Sequence, residues 1–461
     1  MHKEINLGIA PIGKFIFSHD AAMEQKKKIY HLMDNWKIKY NGIDEIIDDG
    51  MVRGDEDIDP VVNYLESKKI DAVFIPHCNF GTESAASMIA KRLSVPVLLW
   101  GPRDETPLPD GTRMRDSLCG MLATSKVLNK LDVIFTYIEN SEIESPVFEK
   151  GFKKFIKAAR VKKNVSSLKI GQIGTRIDFF WSTIIDESDL LNRFGIQILP
   201  FDMADFINSV NKRQKKHQNI YKVEVKELSK TIITRDNDYD ENLMGSLALR
   251  DELISRAVEN DLNAIAIKTF PSLQKGLKAV TGLGCALACD SGIPILSESD
   301  IHGAISSVML ESATDSGNPS FSADIVMRHP GDDNGILLWH GIAPLSQKDP
   351  DSSINLYPTW TFKDLPPINA SFKLKDGTVT ICRFDGDKGN YCLGIGEGNT
   401  IQGPYNREFY AWVKVNDWKG WEKKIIHGPY IHHFSAIFDK CSDVLIEACR
   451  YLPGIKADEF E

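Results

Sequence analysis

No stretch of this chain approaches the roughly 20 consecutive apolar residues that a membrane-spanning helix needs. The opening Met1-His2-Lys3-Glu4-Ile5 leads directly into a strand-like run, without the apolar segment of a secretory signal. A basic excess is missing as well. The 461 residues carry 55 Lys plus Arg against 64 Asp plus Glu, a formal net charge of −9. Neutralising phosphates over a broad surface requires the opposite balance, so general nucleic-acid binding is excluded and no membrane partner is expected. The eight cysteines, at 78, 119, 285, 289, 382, 392, 441 and 449, show no paired zinc spacing. Cys285 and Cys289 fall in a helix-like run, where two thiols usually mean packing. Reduced thiols and a cytoplasmic setting are the expectation.

What the chain does have is the composition of a globular protein, 42% hydrophobic and 26% charged residues. At ~150 residues per domain its length suggests about three domains. The first third alternates strand and helix patterns. Strands are expected at 5–10, 72–76, 95–100 and 132–136, with helices at 21–37, 61–68, 81–92 and 147–161. A second unit opens near Leu168 and has further strands at 196–199, 264–267 and 293–296. Such alternation implies mostly parallel, doubly wound sheets. The basic stretch Lys212 to Lys226 between them reads as a solvated helix end and loop. After about residue 315, period-two runs take over at 322–327, 336–339, 378–384, 391–396 and 409–415. Lys375-Asp376-Gly377 and Asp385-Gly386-Asp387 serve as turn signals, and a closing helix is expected from Phe434 to Tyr451. The fold class expected is two doubly wound α/β domains, 1–165 and 166–299, followed by a β-rich, barrel-like C-terminal domain, 300–461.

Chemistry concentrates where the Ile293–Leu296 strand gives way to a helix, at Ser297-Glu298-Ser299-Asp300-Ile301-His302-Gly303. Two carboxylates one residue apart at a strand tip make a beginning for a divalent-metal site, because ligands bind at the carboxyl edge of open α/β sheets. Helix capping by Asp300 is the plainer reading. Adjacent histidines, His432 and His433, offer imidazole, which together with carboxylates suits Mn²⁺ or a similar ion. His340 ends a β run at Trp339-His340-Gly341. Far upstream, Trp100-Gly101-Pro102-Arg103-Asp104-Glu105 and His77-Cys78-Asn79-Phe80-Gly81 occupy the tips of neighbouring strands, where salt bridges and ligand contacts are equally plausible. Gly171-Gln172-Ile173-Gly174-Thr175-Arg176 lacks the third glycine of a dinucleotide fingerprint and the lysine of a P-loop, so both are rejected.

Taken in order, Trp100 to Glu105, Asp116-Ser117-Leu118-Cys119-Gly120, Ile170 to Arg176, Glu298-Ser299-Asp300 with Gly303, and His432-His433 resemble the L-fucose/L-arabinose isomerase family over nearly the whole chain. The resemblance implies a metal-dependent, usually Mn²⁺-dependent, aldose–ketose isomerase. Its substrate would be an open-chain pentose, 6-deoxyhexose or related sugar, converted through an ene-diol. It also implies a homo-oligomer, commonly a hexamer, with sites formed between subunits. Asp300 then resembles the family's metal-binding catalytic aspartate and His433 its metal-binding histidine. The family's further glutamate has no counterpart in Leu277 to Asp290, and Glu298, as third ligand or base, is the candidate to replace it. Trp100, Arg103, Lys268 and His340 are the expected substrate contacts, the first two reaching a neighbouring subunit. The alternative is a catalytically altered sugar-binding or regulatory protein on the same scaffold, with the missing glutamate as its motive.

Overall fold

The computed structural model describes residues 4–14, 16–233, 239–357 and 369–460. The chain forms two compact units, one up to Lys163 and one from Asn164 onward.

In the first unit a parallel sheet runs in the order Tyr40–Asn41, Leu7–Ile9, Ala72–Pro76, Val97–Trp100, Phe135–Tyr137. Its inner strands are apolar on both faces: Ala72–Pro76 and Val97–Trp100 are buried at every position. That pattern arises when helices cover both sides of a parallel sheet. The covering helices include Ile58–Ser67, Glu83–Leu93 and Pro146–Val165.

The second unit contains a four-stranded parallel sheet, Ile295–Leu296, Ala264–Ile267, Lys169–Ile173, Gln197–Phe201, and a closed antiparallel barrel. Six strands close the barrel in the order Asn390–Ile401, Thr378–Asp387, His433–Ile437, Phe321–His329, Asp332–Ile342, Phe409–Val415, the last pairing back to the first. Closure leaves these strands without open edges. The helix Ile301–Ser312 is buried on nearly all its faces. It contacts both the sheet strand Ala264–Ile267 and the barrel strands Thr378–Asp387 and His433–Ile437. A helix buried all round has no solvent face to offer and belongs between layers.

Two doubly wound layers and a barrel-like C-terminal part are thus present as expected. Three local readings are corrected. The segment 212–226 is not a loop: helices Met203–Lys216 and Gln218–Leu228 run through it, burying Phe206, Val210, Tyr221 and Val225 under a polar outer face. Asp385-Gly386-Asp387 ends a strand instead of turning, and the chain reverses at Lys388 and Gly389, both at positive φ. The helix expected from Phe434 to Tyr451 is shorter, Ser442–Arg450, because His433–Ile437 is a barrel strand. All five of its residues are buried, and five residues are too few for the period-two pattern to be told from the start of a helix.

Candidate active site

The sheet and the barrel of the second unit meet chemically around His433. Ile295–Leu296 ends the sheet, and Glu298 and Ser299 follow in the left-handed region, at φ of 61° and 57°. Non-glycine residues rarely hold that conformation, and two in succession redirect the chain so that Glu298 turns toward the barrel. Asp300 then caps the helix Ile301–Ser312, its Oδ1 accepting the Gly303 N–H at 3.0 Å. Its other oxygen accepts from the Arg383 guanidinium and, at 3.2 Å, from His433 Nδ1.

From the barrel side, His433 opens its strand and lies directly across from Asp324 on Phe321–His329. Asp324 is in turn paired with Trp339, one residue before His340. His433 Nε2 stands 3.1 Å from Glu298 Oε2 and 3.8 Å from Asp324 Oδ1, yet has no aligned hydrogen-bond partner among the described residues. The side-chain donor atoms of Asp324, His432 and His433 can also all approach within 4.8 Å of one another. Carboxylates and imidazoles therefore converge on one buried nitrogen.

A cavity of about 360 Å³ opens beside them. Glu298, Asp324, His340, Glu408 and His432 line it, together with the aromatic rings of Phe179, Phe180, Phe270 and Trp339. His340, itself at a φ of 64°, donates through Nδ1 to Glu408, and Trp339 stacks on its ring at 5.1 Å.

The charges are strongly coupled. Burial alone would raise the Asp300 carboxyl, but Arg383 and then His433 outweigh it and hold it well below the usual carboxylate range. Burial opposes a charged His433, but the bond to Asp300 and the nearby Glu298 carboxylate push it up to about 10. His340 likewise rises to about 9, because Glu408 overcomes its desolvation. Asp324 is raised, chiefly by burial. Burial and the neighbouring His433 lower His432.

Of the residues singled out in sequence, Glu298, Asp300 and His433 come together, and His340 joins them across the cavity. Asp300 is occupied on both oxygens and is not among the lining residues. Lys268 follows the strand Ala264–Ile267 and is not among them either. Trp100 belongs to the first unit and is 0% exposed. Its ring packs edge-on to Phe148 at 4.7 Å, and no face is left open. Arg103 lies exposed on that unit, its backbone N–H bonded to the Ser141 carbonyl. Sequence reasoning missed Asp324 and Glu408. An aspartate interrupting the apolar run Phe321 to Met327 was the available signal for the first, and Glu408 carried none.

Comparison with known proteins agrees with this architecture. Residues 8–166 match the family described as fucose/sulfoquinovose isomerase, N-terminal domain. The sulfoquinovose isomerases of Priestia megaterium and Priestia aryabhattai are each 23% identical over 448 residues, 96% of this chain and 96% of theirs. That of Alkalicoccus urumqiensis is 23% identical over 398 residues, covering 86% of this chain and 85% of its own. With the parallel α/β layers, the barrel and the carboxylate–imidazole cavity, these likenesses make the chain an isomerase. Within that class its likeness is to the fucose isomerase-like family, at 23% identity to the relatives named. No helix among the described residues is long and apolar enough to cross a membrane.

Proposed function

We propose that this protein is a divalent-metal-dependent aldose–ketose isomerase acting on open-chain sugars. One observation carries the reading: a buried imidazole nitrogen, His433 Nε2, points between two carboxylates beside a cavity and lacks an aligned partner. Two carboxylates and an imidazole suit Mn²⁺. Asp324 and His433 would hold it, with His432 and Glu298 beside them. When bound, the ion would supply Lewis-acid stabilisation of negative charge developing on adjacent sugar oxygens.

Asp300 acts one layer back. By accepting from Nδ1 it fixes the ring so that Nε2 faces Glu298 and Asp324, as carboxylates behind metal-ligating histidines do. Glu298 moves the proton: it takes it from C2 of the aldose, and the bonding pair forms C1=C2 as O1 gains a proton. Collapse of the ene-diol then releases the O2 proton, forms the C2 carbonyl and returns a proton to C1. His340, steadied by Glu408, is the polar group facing those oxygens across the cavity. The aromatic rings would exclude water from the ene-diol.

No lysine or arginine is among the described residues lining the cavity. Neutral pentoses and 6-deoxyhexoses therefore suit it directly. A sulfonated sugar, the substrate named for the relatives, would need a cation from elsewhere. In a homo-oligomer the exposed Arg103 of a neighbouring copy is our candidate. Glu298 among the lining residues favours the catalytic reading over the non-catalytic alternative.

The test is metal analysis of the purified protein, then a ketose assay over pentoses, 6-deoxyhexoses and sulfoquinovose with added Mn²⁺. Bound metal with no turnover on any of them favours a sugar-binding role. Turnover that survives complete chelation removes the metal from the reading.

A further inference from the structure

Behind Asp300 lie further charges, those of Arg383, Asp385 and His302, to which the proposed chemistry gives no role. Arg383, on the barrel strand Thr378–Asp387, is 0% exposed. Its guanidinium bridges two carboxylates, donating through one terminal nitrogen to Asp300 Oδ2 and through Nε to Asp385 Oδ2 at 2.9 Å. Asp385 Oδ1 accepts from His302 Nδ1 at 3.1 Å, and His302 sits in the first turn of the helix that Asp300 caps. The Gly386 N–H also donates to Asp385, at 2.9 Å. His302 is itself wedged edge-on against Phe384, with ring centroids 5.2 Å apart.

These contacts form one continuous chain, His302–Asp385–Arg383–Asp300–His433, that starts and ends on different elements. Nothing in it is needed merely to close the barrel. Phe321, Val379 and Ile381 fill that role with apolar surface, and burying an ion pair generally stabilises no more than apolar packing of the same volume. The geometry does have a specific consequence. Asp300 has three partners, and Arg383 is the one that draws Oδ2 toward the barrel, where His433 Nδ1 can reach it. Gly303 keeps room for this, because a Cβ there would lie 2.6 Å from Asp300 Oδ2.

We infer that Arg383, held in place by Asp385 and His302, is a positioning residue that aims the His433 ring at Glu298 and Asp324 by way of Asp300. The inference rests on the metal reading above. A two-pronged guanidinium serves it where a lysine ammonium does not, because a single nitrogen cannot reach both carboxylates in a fixed fork.

The experiment is Mn²⁺ titration of the metal-free protein, followed by electron paramagnetic resonance, for the wild type, Arg383→Lys and Asp385→Asn. Near-UV circular dichroism reports whether each variant is folded. Asp189→Asn is the control: it discharges the acceptor of the Gly389 N–H and Tyr391 hydroxyl in the same hairpin, and its ion pair with Arg193, while leaving the five residues of the chain of charges in place. Arg383→Lys is expected to weaken Mn²⁺ 10–100-fold, the usual scale for outer-shell partners, and Asp385→Asn to weaken it less. Asp189→Asn should lower the melting temperature and leave Mn²⁺ affinity unchanged. If Arg383→Lys does not fold, Asp385→Asn alone decides. Wild-type affinity in a folded Arg383→Lys or Asp385→Asn, or an equal loss in Asp189→Asn, overturns the inference and leaves the metal reading standing. A wild type that binds no Mn²⁺ overturns both.

Discussion

Two buried histidines, one in each unit, show how little burial by itself says about function. His77 follows the strand Ala72–Pro76 and is 0% exposed; His433 opens a barrel strand and is 8% exposed. Each has an Nε2 without an aligned partner among the described residues. The Nδ1 of His77 donates to a neutral group, the Phe80 carbonyl at 2.9 Å, and burial holds the ring down to about 4. The Nδ1 of His433 donates to a carboxylate, with Glu298 and Asp324 beyond it, and the same burial is overwhelmed. A neutral imidazole in neutral surroundings is part of the packing. An imidazole among three carboxylates marks a place where positive charge must be supplied, by protons or by a cation.

Removing the carboxylate that does the chemistry should break the comparison most severely. Glu298→Gln keeps the volume of the side chain but cannot carry the proton, so kcat is expected to fall about 10²–10⁴-fold. Assays of the active sugar at saturating Mn²⁺ check it, and a loss under tenfold would remove Glu298 as the base.

The buried neutral histidine makes its own prediction. His77 has a folded-state value near 4, below its ordinary 6.5, so the unfolded chain binds the extra proton as pH falls between those values. Its contribution to stability is therefore full above about pH 6.5 and is lost progressively toward pH 4. The loss runs at about 1.4 kcal/mol per unit, to at most ~3.5 kcal/mol. Hydrogen-exchange protection of Ala72–Pro76 should drop over that window in the wild type and stay flatter in His77→Asn. Equal pH slopes in the two proteins would show that another group carries the dependence.

The second unit should respond to cation where the first does not. Mn²⁺ at 100 times its Kd stabilises a folded binder by ~2.7 kcal/mol. Exchange in His433–Ile437 is expected to slow on adding Mn²⁺ and recover on chelation, with Ala72–Pro76 as the reference segment. Protection that rises equally in both segments would argue against a localised site.

How much of this was legible in the sequence depends on what each segment pairs with. Glu298, Asp300 and His433 could be read because strand tips and N-caps have local signatures, and His340 because it ends a β run beside glycine. What their side chains do was not legible. Asp300 was given to the metal by its place in a strand-tip carboxylate pair and by family resemblance; neither signal shows that its oxygens also accept from Gly303 and from Arg383, which lies 83 residues away. Asp324 sat unremarked in an alternating run, because cross-strand register, not spacing, brings it opposite His433. The strand His433–Ile437 was read as helix for the same reason. Its apolar residues are buried on both faces by partners that only the closed barrel supplies.

The smallest effects sharpen the contrast, at a pair of glycines beside the two rings. Gly81 has a φ of +74°, and a Cβ there would lie 3.0 Å from His77 Nδ1. Gly81→Ala therefore meets both backbone strain and a crowded ring, at a cost of roughly 1–2 kcal/mol in the first unit. Gly303 lies inside a helix, where alanine is favoured by up to ~1 kcal/mol, while its methyl group would press on Asp300 Oδ2 at 2.6 Å. The two effects nearly cancel in stability but not in function, because the carboxylate displaced is the one that orients His433. Gly303→Ala should thus melt within a few degrees of the wild type and bind Mn²⁺ several-fold more weakly, whereas Gly81→Ala should melt earlier and bind it normally. Calorimetry and Mn²⁺ titration on the same two variants separate the cases. Matching losses of affinity would mean that the ring in the first unit also governs the cation site, contrary to the distinction drawn between the two histidines.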